Sequence, residues 1–320
     1  MKLIYILSQG HSGSTLTDSI LGTHPDFISS GELTYLNWQL ARTKGVKATV
    51  SAQNICSCEQ DFRECEYWLQ VFELLKEKTG NDIVADPLSF ETAFFGKFAY
   101  QNRGGFTRNF SEKVKGYLFR EWLEKGNRLN KIEWLEPKLN NLIKNNWLLY
   151  ETMSEAANKP IVVDSSKDLL AALLMQQYKP DDVYILFLHR SVKGLASSYK
   201  KLSMKSGNPF SISSIIQTKE KFENRVKKYK KIKNLKYLDY EYEQIVKNPA
   251  DFVSRVAQKI GAKFDYDQQL NNNFYIDPSK QHLVAGNPMR YRGKQLVSYD
   301  ASWKKNLTES EIIELEKCSF

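Results

Sequence analysis

No apolar run in this 320-residue chain approaches the roughly 18 residues that a helical membrane span needs, so a spanning segment is not expected. Cysteines number four, too sparse for a secreted disulfide scaffold. Internal repeats, low-complexity tracts and linkers rich in Pro, Gly or Ser are lacking too. One domain over residues 1–320 is therefore the expectation, with the length to bury a large core. Zinc-finger, KH and RNP patterns are missing, and the aromatics do not interleave with the basic runs, so nothing points to nucleic acid. The opening MKLIYIL is too short for a signal peptide. It reads as a first strand from about residue 3, leaves no room for a cleaved leader, and suggests a cytoplasmic protein.

Charged residues make up 26% and hydrophobic ones 42%, ordinary values for a globular chain. The net charge is +9, with lysines gathered in YKKLSMK (199–205) and KYKKIKNLK (228–236). Such runs either form solvated helix faces or steer an anionic ligand.

Two stretches carry an α/β signature. LIYILS (3–8) leads through a Gly/Ser turn into TLTDSILGTH, where Leu16, Ile20 and Leu21 recur at helical spacing. IVVDSS (161–166), a helix over DLLAALLMQQY, and VYILFL (183–188) form a β-α-β unit with fully apolar strands, as in a parallel sheet covered on both faces. The expected fold is α/β: a parallel sheet flanked by helices, with a P-loop nucleotide-kinase-like core. A largely helical insertion, a lid or acceptor-binding region, spans about residues 33–160. Further on, Ile216, Phe222, Val226 and Tyr229 mark an amphipathic helix, and KYLDY reads as a strand. Asn248 and Pro249 start a helix that Gly261 ends, and Thr308 with Glu311 forms a capping box.

SQGHSGST (8–15) lies between strand and helix, where small residues let backbone N–H groups curl around an anion at the positive helix end. It is not a Walker A loop, because Gly13 is followed by Ser14 and Thr15 rather than by a lysine. In LHRSVKGLASSYKK (188–201), Arg190 leaves a strand end and Ser198 follows eight residues on. A strand-end guanidinium and a helix hydroxyl can converge on one phosphate.

Strand-SGST-helix followed by R-x7-S resembles the PAPS-dependent sulfotransferase family, and further strings agree with its bacterial branch. They are THPDFISSGEL (23–33), CSCEQDFRECEYW (56–68), VVDSSKD (162–168), YEQIVKNP (242–249), and HLVAGNPMRYRGK (282–294) with DASW (300–303). The resemblance implies transfer of a sulfuryl group from 3′-phosphoadenosine-5′-phosphosulfate (PAPS) to a hydroxyl of a small-molecule, lipid, sugar or peptide acceptor, leaving 3′,5′-adenosine bisphosphate. It places His11, Ser12, Gly13, Ser14 and Thr15 around the 5′-phosphosulfate, and Arg190 and Ser198 on the 3′-phosphate. Tyr242 falls near the nucleotide, although Glu241 stands where an arginine usually precedes that tyrosine. Arg290, Arg292 and Gly293 resemble a basic loop closing over the 3′-phosphate, to which His282 and Asn287 could belong unless they face the acceptor.

For catalysis the resemblance nominates Glu32 as base and Lys167 on the sulfuryl oxygens. Asp164 and Asp168 either orient Lys167 or serve the following helix. His11 stands where related chains usually carry a permanent cation, and is assigned a hydrogen bond to the bridging oxygen. His24 reads as a helix-closing residue and Trp303 as packing. No metal is expected: the reaction needs none in principle, and CxC-x6-C at Cys56, Cys58 and Cys65 supplies three ligands with no fourth beside them. A disulfide or plain buried thiols are the readings for these cysteines. An ATP-dependent P-loop kinase and a catalytically inactive nucleotide-binding protein remain the competing functions.

Overall fold

Alternation along the apolar strands divides the core into two halves, one on each face of a single sheet. A computed structural model describes residues 1–40, 55–87, 89–92, 137–262 and 273–317. In β1 (Lys2–Ser8), Leu3, Tyr5 and Leu7 pack on one face, and Ile4 and Ile6 on the other. β3 (Ile161–Asp164) and β4 (Val183–His189) divide in the same way, with Val162, Val183, Ile185 and Phe187 opposed to Ile161, Val163, Leu186 and Leu188. Helix layers cover both faces, which is why these strands read as continuous apolar runs.

The sheet has five parallel strands in the order β2-β3-β1-β4-β5, completed by β2 (Phe27–Ser29) and β5 (Tyr237–Glu241). β1 is central, and the chain passes to opposite sides of it, making a crevice beyond its carboxyl end where an α/β sheet binds ligands. The expected α/β fold with a P-loop-like core is the fold observed.

On the face of Leu3 and Tyr5 lie α3 (Glu66–Thr79), α4 (Pro137–Ala157) and α5 (Leu169–Tyr178), introduced in chain order after α1 (Ser14–Leu21) and α2 (Leu36–Leu40). Leu170 through Gln176 are all buried, so α5 is covered on every side and shows no polar face. Trp68, Val71, Leu149 and Met153 join the same cluster as Leu3 and Leu7, so the described parts of the span expected to form a lid pack as sheet core. The rest of that span, 41–54, residue 88 and 93–136, lies outside the described residues. The opposite face carries α1, α8 (Tyr242–Lys247) and α9 (Pro249–Ile260), numbered after α6 (Val192–Ser206) and α7 (Ile212–Tyr229). As expected, Pro249 opens α9 and Gly261 closes it in a left-handed conformation, with Phe252, Val253, Val256 and Ile260 buried.

Beyond α9, a short antiparallel pair joins β6 (Tyr275–Ile276) and β7 (Gln295–Leu296). α10 (Trp303–Asn306) and α11 (Glu309–Glu316) follow, the latter with the capping box of Thr308 and Glu311. The basic run at 199–205 lies on α6, where Lys200 pairs with Glu311 while Leu202 and Met204 are exposed. That run is largely a solvated face tied to the C-terminal helix. Among the described residues no helix is long and apolar enough to cross a membrane.

His189 ends β4, immediately before Arg190. Its Nδ1 lies 2.9 Å from Glu223 Oε1 on α7 and its Nε2 2.7 Å from Asp239 Oδ1 on β5. Burial opposes the imidazolium, but the two carboxylates outweigh it and lift the group to about 9. A folded-state value above the unfolded one stabilises fully below the unfolded pKa and is lost as pH rises through the folded pKa. Urea unfolding should therefore show wild-type stability falling by roughly 1–3 kcal/mol between about pH 6.5 and about pH 9. His189→Gln should flatten this part of the profile; an unchanged slope would reject the network.

Candidate active site

β1 delivers the chain into the loop Gln9–Gly13, and α1 carries it away. His11 sits at φ 63° and Gly13 at φ 89°, both in the left-handed region, so the loop is a tight reversal at the helix start. At Gly13 the missing side chain is also a packing requirement. A Cβ there would fall 2.2 Å from Cε2 of Tyr242, whose ring lies directly on the loop. No side chain caps α1, leaving its first-turn N–H groups for an anion.

Arg190 leaves β4 and donates from Nη1 to the carbonyl of His11 at 2.5 Å, and its guanidinium stacks on Tyr242 at 4.7 Å. The structure thus brings together Arg190, Tyr242 and the loop. Gly194 makes room for this, since a Cβ there would lie 2.8 Å from Arg190 Nε. Ser198, half-buried, is four residues further along α6 and so on the same helix face as Gly194. Ser191 caps α6 and is itself held by Glu243, which accepts from its N–H at 3.1 Å and its hydroxyl at 2.7 Å. Two buried polar atoms here lack a partner among the described residues, Arg190 Nε and Ser12 Oγ. Buried unpaired donors are rare, and an anionic ligand would satisfy them.

Glu32 and Lys167 meet at the mouth of the loop. Lys167 Nζ lies 2.5 Å from Glu32 Oε1 and 3.2 Å from Ser14 Oγ, and both side chains are mostly buried. Lys167 holds φ 60°, an uncommon conformation for a lysine that aims its stem across the loop. The two neighbouring aspartates support this geometry differently. Asp168 caps α5, accepting from Leu170 N and Ala171 N, and Asp164 accepts from Tyr150 OH at 2.7 Å and Ser166 N at 2.7 Å. Burial pushes Asp164 up to about 6, against the hydrogen bonds.

His11 packs edge-on against Tyr199 at 4.7 Å. Burial holds its imidazole below the usual value, and the cations of Lys167 and Arg190 press the same way while Glu32 opposes. Thr15 is engaged from outside the loop: its Oγ1 accepts from Asn287 N at 3.0 Å, and Gly286 fits against it where a Cβ would come to 2.7 Å. The segment 283–287 is thus a strap over the first turn of α1, further held by Val284 N donating to Ser30 O at 2.9 Å.

The structure splits the expected basic loop: Asn287 reaches Thr15, whereas the Arg290 guanidinium turns inward. Arg290 is 1% exposed and donates to the carbonyls of Leu283 and Ile55 and to Tyr291 OH, because the short turn Pro288–Tyr291 directs it inward. Arg292 is exposed, and Gly293 faces open space. Trp303 packs with Lys193 above its ring, and His24 is buried, accepting from Asp26 N.

The sequence reading missed Asp18, which is fully buried in α1. Its Oδ2 accepts from Gly31 N at 2.9 Å and from Ser165 Oγ at 2.8 Å, one residue before Glu32 and two before Lys167. The only sequence signal was an aspartate inside a short apolar helix. Burial pushes its carboxyl up to about 8, against the hydrogen bonds from Ser165 and Gly31. A raised folded-state value stabilises most below about pH 4 and is lost as pH climbs through about 8. Asp18→Asn keeps an acceptor without the ionisation. Its stability relative to wild type should therefore rise between about pH 5 and about pH 8, as urea unfolding would measure. An equal loss at both pH values would mean that the carboxyl is not the titrating group.

Solved structures similar to this chain include the sulfotransferase domain from the Synechococcus PCC 7002 olefin synthase, at 15% identity and TM-score 0.40 over 99% of this chain and 88% of that one. Another is the sulfotransferase domain from the curacin biosynthetic pathway, at 14% identity and TM-score 0.43 over 99% and 96%. A sulfotransferase from Alicyclobacillus acidocaldarius matches at 12% and TM-score 0.36 over 98% and 94%. Comparison with curated proteins gave no significant match. The assignment rests instead on the sequence, which matches the family model described as "Sulfotransferase family" over residues 4–266. That stretch contains the loop Gln9–Gly13, Glu32, Lys167, Arg190 and Tyr242, and the chain belongs to the sulfotransferase family.

Proposed function

We propose that the sulfuryl donor is PAPS and that transfer to an acceptor hydroxyl is in-line and independent of metal. The observation that carries this reading is the meeting of Glu32, Lys167 and Ser14 at the mouth of the loop, with Arg190 anchored on the same loop from the neighbouring strand. The first-turn N–H groups of α1 and the hydroxyls of Ser12, Ser14 and Thr15 receive the 5′-phosphosulfate. Arg190 and Ser198 receive the 3′-phosphate, and the Tyr242 ring lies between loop and guanidinium as a wall for the nucleotide.

Glu32 takes the proton of the acceptor hydroxyl as its oxygen bonds to sulfur. The bond from sulfur to the bridging oxygen breaks, and the bisphosphate leaves with that electron pair. Lys167 stabilises charge on the sulfuryl oxygens, and His11 donates to the bridging oxygen. Cationic and N–H donors on the chain thus cover the positions where charge develops, and the acceptor is a small-molecule, lipid, sugar or peptide hydroxyl. A kinase reading lacks the Walker lysine and leaves the Arg190–Ser198 pair without a purpose.

Calorimetric titration should show 3′,5′-adenosine bisphosphate binding without metal and more tightly than ATP with Mg²⁺; the reverse preference would favour the kinase. With labelled PAPS and an acceptor screen, Glu32→Gln should lower transfer by about 10²–10⁴-fold while leaving bisphosphate affinity intact. Lys167→Ala should lower it by about 10²–10³-fold. Bisphosphate binding with no transfer to any acceptor would instead support an inactive nucleotide-binding protein.

His11 supplies a separate pH signature. Burial and the neighbouring cations hold the imidazole low, whereas a bound anion favours imidazolium, so binding takes up a proton. Bisphosphate affinity should increase as pH falls from about 8 to about 6, beyond the change seen in His11→Gln, which keeps the titration of the ligand and of Asp18 and Asp164. Identical profiles would remove His11 from the anion site.

A further inference from the structure

Cys56, Cys58 and Cys65 do not stand alone. The ligand wanting in the neighbouring sequence comes from His282, 217 residues beyond Cys65, and the four ligand atoms all lie within 4.8 Å of one another. Cys65 Sγ is 3.6 Å from Cys58 Sγ, 3.8 Å from Cys56 Sγ and 3.2 Å from His282 Nδ1, and Cys56 Sγ is 3.7 Å from the same nitrogen. A zinc ion with thiolates at about 2.3 Å and an imidazole at about 2.0 Å requires tetrahedral edges of about 3.8 Å between sulfurs and about 3.5 Å from sulfur to nitrogen. Four of the six edges lie within about 0.3 Å of these values, and the other two, from Cys58 to Cys56 and to His282, are no longer than 4.8 Å. A two-metal cluster would spread its ligands further apart. We infer that Cys56, Cys58, Cys65 and His282 hold a structural zinc ion in tetrahedral Cys3His coordination.

The backbone around the four ligands is built to present them. Ile55 and Asp61 form an isolated bridge that closes a turn, in which Cys56 N donates to Gln60 O and Glu59 N to Cys56 O, both at 2.9 Å, with Glu59 at φ 69°. Cys65 is the N-cap of α3 in extended conformation, at the helix end that favours a thiolate. His282 adopts φ 57°; its ring stacks on Tyr67 at 5.0 Å, and its carbonyl accepts from Trp68 Nε1 at 2.9 Å. The intervening Ser57 is zipped to the His282 segment: its N–H donates to Leu283 O at 3.2 Å, and its hydroxyl accepts from Leu283 N at 2.8 Å. Ligand-bearing segments far apart in sequence are thus held in fixed register.

Arg290 is the second, independent observation. This buried guanidinium forms no salt bridge among the described residues; Glu32 favours its charge only from beyond salt-bridge distance, and a buried cation needs a counter-charge close by. Its donors go to the carbonyls of Ile55 and Leu283, which flank Cys56 and His282. Zinc with three thiolates carries a net charge of −1, which would neutralise it. The ion also has structural leverage, because the chain leaving His282 becomes the strap whose Val284 and Asn287 bond to Ser30 and Thr15. Zinc would fix the strap to α3 and so support the first turn of the phosphate helix.

The full chain, purified under reducing conditions without chelator, should contain one zinc per molecule by mass-spectrometric elemental analysis. Cobalt(II) in its place should give the intense d–d bands and thiolate charge-transfer absorption of a tetrahedral sulfur-rich site. Cys58→Ser, at the half-exposed ligand, should lose most of the zinc and weaken the charge-transfer bands while circular dichroism still shows a folded chain. Should that variant fail to fold, the wild-type cobalt spectrum decides. Absence of both zinc and cobalt binding, zinc retained in full by Cys58→Ser, or a native mass lowered by two hydrogens through a disulfide would each overturn the inference. None of these readouts depends on which donor the enzyme uses.

Discussion

The carboxyl group of Asp18 is the constraint on which the site's geometry rests. One oxygen joins three segments that the sequence keeps apart: α1, the loop after β2 and the loop after β3. Parallel pairing brings the ends of β2, β3 and β1 side by side, but pairing alone does not fix the loops beyond them. The hydrogen bonds to Gly31 N and Ser165 Oγ do so within one and two residues of Glu32 and Lys167. The Glu32–Lys167 pair therefore inherits its place over Ser14 from a group behind it. Because Asp18 is fully buried, neutral protonation is favoured near neutral pH, and the hydrogen bonds form without a buried charge.

Backbone strain is distributed in the same way. Six non-glycine residues among those described have positive φ, and four of them are His11, Lys167, Glu59 and His282. Two lie at or beside the loop Gln9–Gly13 and two at the cysteine and histidine cluster. Such conformations cost on the order of 1–3 kcal/mol each and persist only where surrounding packing over-determines them. Here that packing is identifiable: Tyr199 against His11, Glu32 and Ser14 on Lys167, and Tyr67 and Trp68 on His282. The strap from 283 to 287 joins the two places, so the order of one supports the order of the other.

The legible parts of the sequence were those whose signal is local. LIYILS, IVVDSS and VYILFL announce buried parallel strands, and the small residues at 8–15 announce a tight turn between strand and helix. Arg190 was legible because its strand end could be counted. The partners set by tertiary approach were not legible. Asp18 finds Gly31 and Ser165 thirteen and 147 residues away, and His282 reaches Cys65 across 217. Arg290 sits in a run of basic residues that reads as a phosphate clamp, yet the turn at Pro288 sends it into the protein interior. No periodicity distinguishes a guanidinium that turns inward from one that turns outward.

The same ion pair gives the proposed reaction an order. Lys167 is engaged by Glu32, so the carboxylate oxygen proposed to take the hydroxyl proton already accepts from the ammonium group. A sulfuryl group at the loop would offer Lys167 competing oxygens, drawing it away and leaving the carboxylate to the acceptor. On this reading the donor prepares the base, and an acceptor that arrives first meets a carboxylate already occupied. Ser14, already 3.2 Å from the ammonium group, lies on the path between the two partners and would keep Lys167 hydrogen-bonded while it changes from one to the other.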